Sequence, residues 1–229
     1  MTTTSLVHRR RTTLPLLAIA GALALTTVTA CTSDASDIPV ATAPAAIDPA
    51  TTTAADTAVA TPLTCAGAGI DADSPIHYRS EIMIDAPMST VWDLHTDAAR
   101  WPSWQQPVTS IRLTGPEPLA VGSQFQWTTP APATPTTPAT TLTITSTVHE
   151  LQPHSCVRWS GPAIGDGLNI DNGVHVWNFS EVDGAVLVQT EESWTGSQVE
   201  GDVPTSTAFL GAGLDAWLSE LEATAESKP

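Results

Sequence analysis

Between positions 141 and 148 the chain alternates strictly. Leu142, Ile144, Ser146 and Val148 take one parity, and Thr141, Thr143, Thr145 and Thr147 take the other. Successive side chains of a strand point to opposite faces, so this alternation predicts a strand over Leu142–Leu151 with one buried and one wet face. Similar short runs predict strands over Ile76–Asp85, Ser110–Thr114, Ser123–Thr129, Cys156–Ser160, Val174–Glu181 and Ala185–Trp194. Turn residues separate them at Gly115-Pro116, Pro153-His154 and Asp183-Gly184, the last being a strong two-residue hairpin signal. The Pro/Thr-rich segment Pro130–Thr140 is longer than a hairpin needs and reads as an exposed insertion, not a functional lid. Gly165–Gly173 reads as a turn-rich connection near the mouth of any cavity.

The period changes twice. After the first strand, Pro87 suits the first turn of a helix, Val91, Leu94 and His95 recur on one helical face, and Trp101-Pro102 closes the region. At the other end, Leu210, Leu214, Trp217, Leu218 and Leu221 form one stripe of a long helix over about 205–225, with Thr205 and Ser206 as candidate caps. Gly211 and Gly213 interrupt that helix against propensity. They either let it approach the sheet closely or leave room for a ligand.

The first sixty residues have another character. His8 to Arg11 is a basic run, and Leu14–Ala30 is apolar and small, too short and too rich in Ala and Thr for a membrane span. Residues 1–30 therefore read as an export signal. Val28-Thr29-Ala30-Cys31 resembles a bacterial lipobox, whose cysteine is acylated and becomes the new N-terminus. Residues 31–64 are rich in Thr, Ala, Pro and Asp and lack aromatic side chains. They read as a lipidated cysteine followed by a disordered tether, with the folded domain at 65–229.

Charge and cysteine content narrow the partners. The 229 residues carry a formal charge of −16, and loss of Arg9, Arg10 and Arg11 with the signal leaves five basic against 24 acidic residues, a charge of −19. Such a chain is repelled by phosphate backbones and anionic lipid surfaces. Nucleic acid is thereby excluded as a partner, and membrane attachment, at the outer face of a bacterial cell membrane, has to come from the lipid. With Cys31 acylated, Cys65 and Cys156 remain. They are either a disulfide, which an exported protein allows, or two thiols with Cys156 filling space.

Other chemistry is thin. His149, Glu150 and His154 lack the His-Glu-x-x-His spacing of a zinc site, and no nucleophile elbow or phosphate-binding loop occurs. No metal and no cofactor is expected.

Several phrases resemble those of START-like domains, the SRPBCC superfamily that includes polyketide cyclase/dehydrase-type proteins. They begin with Ser80-Glu-Ile-Met-Ile-Asp-Ala-Pro87, Val91-Trp-Asp-Leu94 and Arg100-Trp-Pro-Ser-Trp104. Further along come Gly122-x-x-Phe125-x-Trp127, Val157-Arg-Trp159-Ser-Gly161, His175-Val-Trp177-x-Phe179 and Thr190-Glu-Glu-Ser-Trp-Thr-Gly196. The resemblance covers roughly 75–226. It implies an α+β helix-grip fold, in which a curved antiparallel sheet of about seven strands wraps a long C-terminal helix, with two short helices after the first strand. It also implies an apolar cavity between sheet and helix.

Strand parity places Phe125, Trp127, Trp159, Trp177 and Trp194 on the inner wall of such a cavity. Phe209, Leu210, Leu214 and Trp217 form the helical wall. Tryptophans at these spacings equally suit a filled core. His175 and Glu192 are the candidate acid–base pair, or else a surface histidine and a solvated glutamate. Three functions stay open. The leading one is a lipid-anchored extracytoplasmic protein binding a hydrophobic small molecule or lipid. The others are a cyclase- or dehydratase-like enzyme using His175 and Glu192, and a cell-envelope interaction module with a closed cavity.

Overall fold

The computed structural model describes residues 61–228, apart from 116, 135 and 136. The export signal, Cys31 and nearly all of the expected tether lie outside the described residues.

Seven strands form one antiparallel sheet in the order β1-β7-β6-β5-β4-β3-β2. They are β1 (Ile76–Ile84), β2 (Ser110–Thr114), β3 (Gln124–Ala131), β4 (Thr140–Gln152), β5 (Cys156–Gly165), β6 (Leu168–Val182) and β7 (Ala185–Thr195). Between β1 and β2 lie α1 (Met88–Thr96) and a 3-10 turn over Ala98–Ser103. After β7 come the single turn α2 (Ser197–Glu200) and the long α3 (Val203–Glu226). This is the helix-grip arrangement.

Strand parity fixes the faces. On β4, Leu142, Ser146 and Val148 are buried while Thr141 and Thr145 face solvent. The Asp183-Gly184 turn, both residues at positive φ, joins β6 to β7 in the left-handed geometry that a two-residue hairpin needs. Bulges between Val148 and Glu150 and between Gly161 and Ala163 bend the sheet around the helix. At Gly161 a Cβ would stand 1.8 Å from the Thr145 carbonyl oxygen, so the second bend needs glycine.

Two apolar clusters share the concave face. The C-terminal half of α3 (Trp217, Leu218, Leu221, Ala225) closes on α1, the 3-10 turn and the inner faces of β3 to β7. The N-terminal half (Leu210, Leu214) packs with Ile76, Leu142, Ala163, Ile170 and Val199. The candidate cavity lies along this second half.

Several expectations need correcting. The helix starts at Val203 because Asp202 is its cap, accepting a hydrogen bond from the Thr205 backbone N–H at 3.2 Å. Pro204 follows in the first turn, where its missing N–H is no loss. Gly165–Gly173 is mostly strand: β5 runs to Gly165, β6 starts at Leu168, and only a tight turn intervenes. The folded unit begins before residue 65. Leu63 is buried and its N–H donates to Glu191 Oε2 at 2.8 Å, while the Thr61 and Thr64 carbonyls accept from Arg79 and Asn178. Polar composition hid this, because a strap held by hydrogen bonds to a sheet surface needs few apolar residues.

Cys65 and Cys156 form a disulfide. Leu63, Cys65, Cys156 and Val176 make a third small cluster. Val176 has the opposite parity to His175 and Trp177, so the strap lies on the outer face of the sheet, away from α3.

Candidate functional site

A cavity of about 260 Å3 opens between the sheet and the N-terminal half of α3. A filled core is thus only half of the answer for the aromatic residues. Trp127, Trp159, Trp194, Phe209, Leu210, Leu214 and Trp217 border the cavity. Phe125 and Trp177 do not. They are sealed, 1 % and 0 % exposed, against Trp101 and His95 respectively. Both share the inward parity of cavity residues but sit level with the C-terminal half of α3, where the grip is closed.

The two glycines of α3 divide the two roles between them. A Cβ on Gly211 would meet the Tyr78 ring at 2.8 Å, so this glycine permits close packing on β1. A Cβ on Gly213 meets nothing within 4 Å, and Gly213 borders the cavity. The Pro130–Thr140 segment is also more than an exposed insertion. Pro130, Ala131, Pro132, Thr134 and Thr137 line the cavity, opposite Asp202, Thr205 and Phe209 at the start of α3. Phe209 is 39 % exposed, which places that end at the surface.

His175 and Glu192 are neither surface histidine nor solvated glutamate. They are directly paired in the β6–β7 register and both border the cavity. Nδ1 of His175 stands 3.3 Å from Oε2 of Glu192, and their side chains are 8 % and 17 % exposed. The other ring nitrogen, Nε2, lies 2.7 Å from the Thr190 hydroxyl, which itself donates to the Val176 carbonyl at 3.3 Å. Trp194 donates its indole N–H to Glu192 Oε1 at 2.9 Å.

These partners define the protons. With the Thr190 hydrogen committed to Val176, His175 Nε2 is the donor to Thr190 and its Nδ1 is an acceptor. Oε2 of Glu192 faces that Nδ1 at 3.3 Å, an arrangement that favours a proton on the carboxyl group. Burial drives the same assignment, raising the Glu192 pKa to about 7 against the smaller opposing effect of the Trp194 hydrogen bond. The His175 pKa is lowered, first by burial and then by the field of His95. Glu192 and His175 thus form an uncharged pair that holds one transferable proton.

Sequence reasoning missed Gln105. It is 1 % exposed, borders the cavity, and donates through Nε2 to the Trp217 carbonyl at 3.1 Å, leaving Oε1 without a hydrogen-bond partner. The indole N–H groups of Trp127 and Trp217, on the same cavity, also lack partners. Buried polar atoms without partners are uncommon, and here two donors and an acceptor gather at one cavity. His95 is deeper still. It is fully buried among Trp101, Trp159, Trp177 and Phe179, with both ring nitrogens unpartnered and its pKa lowered to about 3 by burial. Among the described residues no group of three or more His, Cys, Asp or Glu could hold a metal.

Comparison with known proteins agrees with the fold. A family described as polyketide cyclase / dehydrase and lipid transport matches residues 75–226. Among solved structures, a protein of Thermus thermophilus superposes with a TM-score of 0.52 at 18 % identity, covering 66 % of this chain and 99 % of that one. The di-domain ARO/CYC protein BexL gives 0.52 at 19 % identity, over 67 % of this chain and 51 % of that one. The di-domain ARO/CYC protein StfQ from the steffimycin biosynthetic pathway gives 0.51 at 15 %, over 66 % and 50 %. This chain therefore spans about half of each two-domain protein. No curated protein matches the chain in sequence.

Proposed function

Because the chain belongs to the polyketide cyclase / dehydrase and lipid transport family, we propose that it is a lipid-anchored extracytoplasmic protein that binds one hydrophobic small molecule in the cavity beside α3. The single observation carrying the binding part is the cavity itself. It measures about 260 Å3 and is walled by Leu142, Ile170, Leu210, Leu214 and four tryptophans, with Gln105, His175 and Glu192 among its polar groups. An apolar interior with a small number of placed polar groups is the usual make-up of a small-molecule site. Burying about 250 Å2 of apolar ligand surface at about 25 cal/mol/Å2 contributes about 6 kcal/mol before the cost of immobilising the ligand. The partnerless Trp127 and Trp217 N–H groups can donate to an oxygen on the ligand, and Gln105 Oε1 can accept from a ligand hydroxyl or N–H.

The anchor and the location rest on Val28-Thr29-Ala30-Cys31 and the leader before it. The test has two readouts on the full-length protein. Labelling with a radioactive fatty acid is expected to mark the protein and to be lost in Cys31→Ala. Native mass spectrometry without delipidation is expected to show a hydrophobic adduct that a Gly213→Leu change, which fills the cavity from the helix side, removes. An unlabelled protein overturns the anchor, and a clean apo mass with no uptake from an envelope lipid extract overturns the binding site.

The 3.3 Å contact between His175 and Glu192 favours a second reading, dehydration of a β-hydroxy carbonyl compound. In it His175 Nδ1, the nitrogen without a proton, takes the α-proton and Glu192 protonates the leaving hydroxyl, releasing water. Turnover of such a substrate that is lost in both His175→Gln and Glu192→Gln supports it. Binding without turnover rejects it.

A further inference from the structure

The charge make-up of the cavity wall selects one class of ligand more sharply than its shape does. Among the described residues no lysine or arginine borders the cavity, whereas Glu192 and Asp202 do. An anionic headgroup, whether a carboxylate or a phosphate, would enter without a counter-charge, at a cost of several kcal/mol in a low-dielectric site. The net charge of −16 adds long-range repulsion. Four indole rings, those of Trp127, Trp159, Trp194 and Trp217, border the same space. A ring face turned to the cavity, as distinct from the N–H edges of Trp127 and Trp217, is the negative pole of its quadrupole and attracts a cation, most strongly where water is displaced. We propose that the cavity binds an organic cation, an aliphatic or aromatic amine with an apolar body, whose ammonium group pairs with the Glu192 carboxylate among these tryptophans. The proposal rests on the reading of the cavity as a binding site.

The resting structure is compatible with that exchange. Glu192 Oε1 accepts the Trp194 indole N–H, and Oε2 stands 3.3 Å from His175 Nδ1. An arriving ammonium replaces the carboxyl proton as the partner of Glu192. The displaced proton leaves to solvent, and the imidazole turns its N–H from Nε2 to Nδ1 so as to donate to the carboxylate. The Thr190 hydroxyl then turns from the Val176 carbonyl to donate to Nε2. Charge is conserved: one cation enters and one proton departs. Burial already places the Glu192 pKa at about 7, so ionising it near neutral pH costs little. The groups facing the pair are His95 behind His175, Tyr78 in register on β1 with Asp215 bonded to its hydroxyl, and Asp202 at the start of α3. None of them carries a positive charge near neutral pH.

Three probes sharing the naphthyl skeleton separate the outcomes: 1-naphthylmethylamine, 1-naphthylmethanol and 1-naphthoate. Binding to the full-length protein is followed by calorimetry between pH 5.5 and 8. The amine is expected to bind about tenfold more tightly than the alcohol at pH 8, and the carboxylate more weakly than either. The preference for the amine should collapse towards pH 5.5, as Glu192 keeps its proton, while the alcohol stays constant. In buffers of different ionisation enthalpy, amine binding at pH 6.5 should release a proton. In Glu192→Gln, whose amide can donate to His175 and accept from Trp194 as the acid does, amine and alcohol should bind alike. An alcohol that matches or exceeds the amine at pH 8, or a preference that survives in Glu192→Gln, overturns the cation assignment and leaves the binding site standing. Absence of binding by all three probes overturns both.

Discussion

Nδ1 of His175 and Oε2 of Glu192 face each other at 3.3 Å across the β6–β7 ladder, and each nitrogen and oxygen of the pair has a neighbour that decides its proton. Between about pH 4.5 and 7 the folded state therefore holds a carboxylic acid where the unfolded chain holds a carboxylate. With the pKa raised from 4.5 to about 7, the contribution of Glu192 to stability is fully present below pH 4.5 and is lost as pH rises through about 7. Glu192→Gln keeps the neutral form at every pH. Urea melts are expected to show the variant more stable than the parent by on the order of 3 kcal/mol at pH 8, with the difference vanishing near pH 4.5. A constant difference across that range would show that Glu192 is ionised in the fold throughout.

His95 has the opposite sign. Its pKa falls from 6.5 to about 3, so the unfolded chain takes up a proton that the folded one refuses. Its contribution is intact above pH 6.5 and is lost as pH falls towards 3. His95→Leu removes both unpartnered ring nitrogens from the aromatic cluster. Relative to the parent, it should gain about 1.4 kcal/mol per pH unit between 6.5 and 3, read from chemical denaturation at successive pH values.

Two glycines one turn-fraction apart on α3 should respond oppositely to one methyl group. Gly211→Ala pushes a Cβ into the Tyr78 ring and is expected to destabilise by about 1–2 kcal/mol after the gain in helix propensity. Gly213→Ala meets nothing and should stabilise by about 0.5–1 kcal/mol. Equal shifts in the denaturation midpoint would mean that α3 can slide on the sheet.

Reduction of Cys65–Cys156 opens a loop spanning 91 residues. Chain-entropy arguments give about 4.6 kcal/mol for a loop of this size. A lower thermal midpoint under reductant is the expected result. Faster amide exchange at Leu63 and at Asp71, whose N–H groups donate to Glu191 and Ser193, should accompany it. An unchanged midpoint would show that the strap holds by hydrogen bonds alone.

Much of the candidate site can be read in the chain. The Asp183-Gly184 turn pairs Val182 with Ala185, and counting seven residues back along each strand brings His175 opposite Glu192. Two-residue parity then sends both to the face shared with Trp177 and Trp194. The level of each strand along α3 is not legible. Phe125 and Trp127 have the same parity on β3, yet one is sealed under Trp101 and Trp159 and the other meets the cavity, because they stand at different levels along α3. The Pro/Thr segment after β3 misleads for a related reason. Its composition resembles solvated loop, but a wall at the rim of a cavity needs only one side packed. Gln105 lies in a stretch without periodicity, so nothing local marks it as buried.

The outer-face strap carries a mechanical consequence. The Cys65–Cys156 bond joins the chain ahead of β1 directly to the start of β5. Along the covalent path from N- to C-terminus, β1, α1, β2, β3 and β4 lie on a side loop. Tension applied at residue 61 and at the end of α3 therefore extends only the chain from β5 onward, because the disulfide shorts out the 91-residue loop. The edge strand β1 and the Pro130–Thr140 rim of the cavity can be detached by such a pull but not stretched while the disulfide holds.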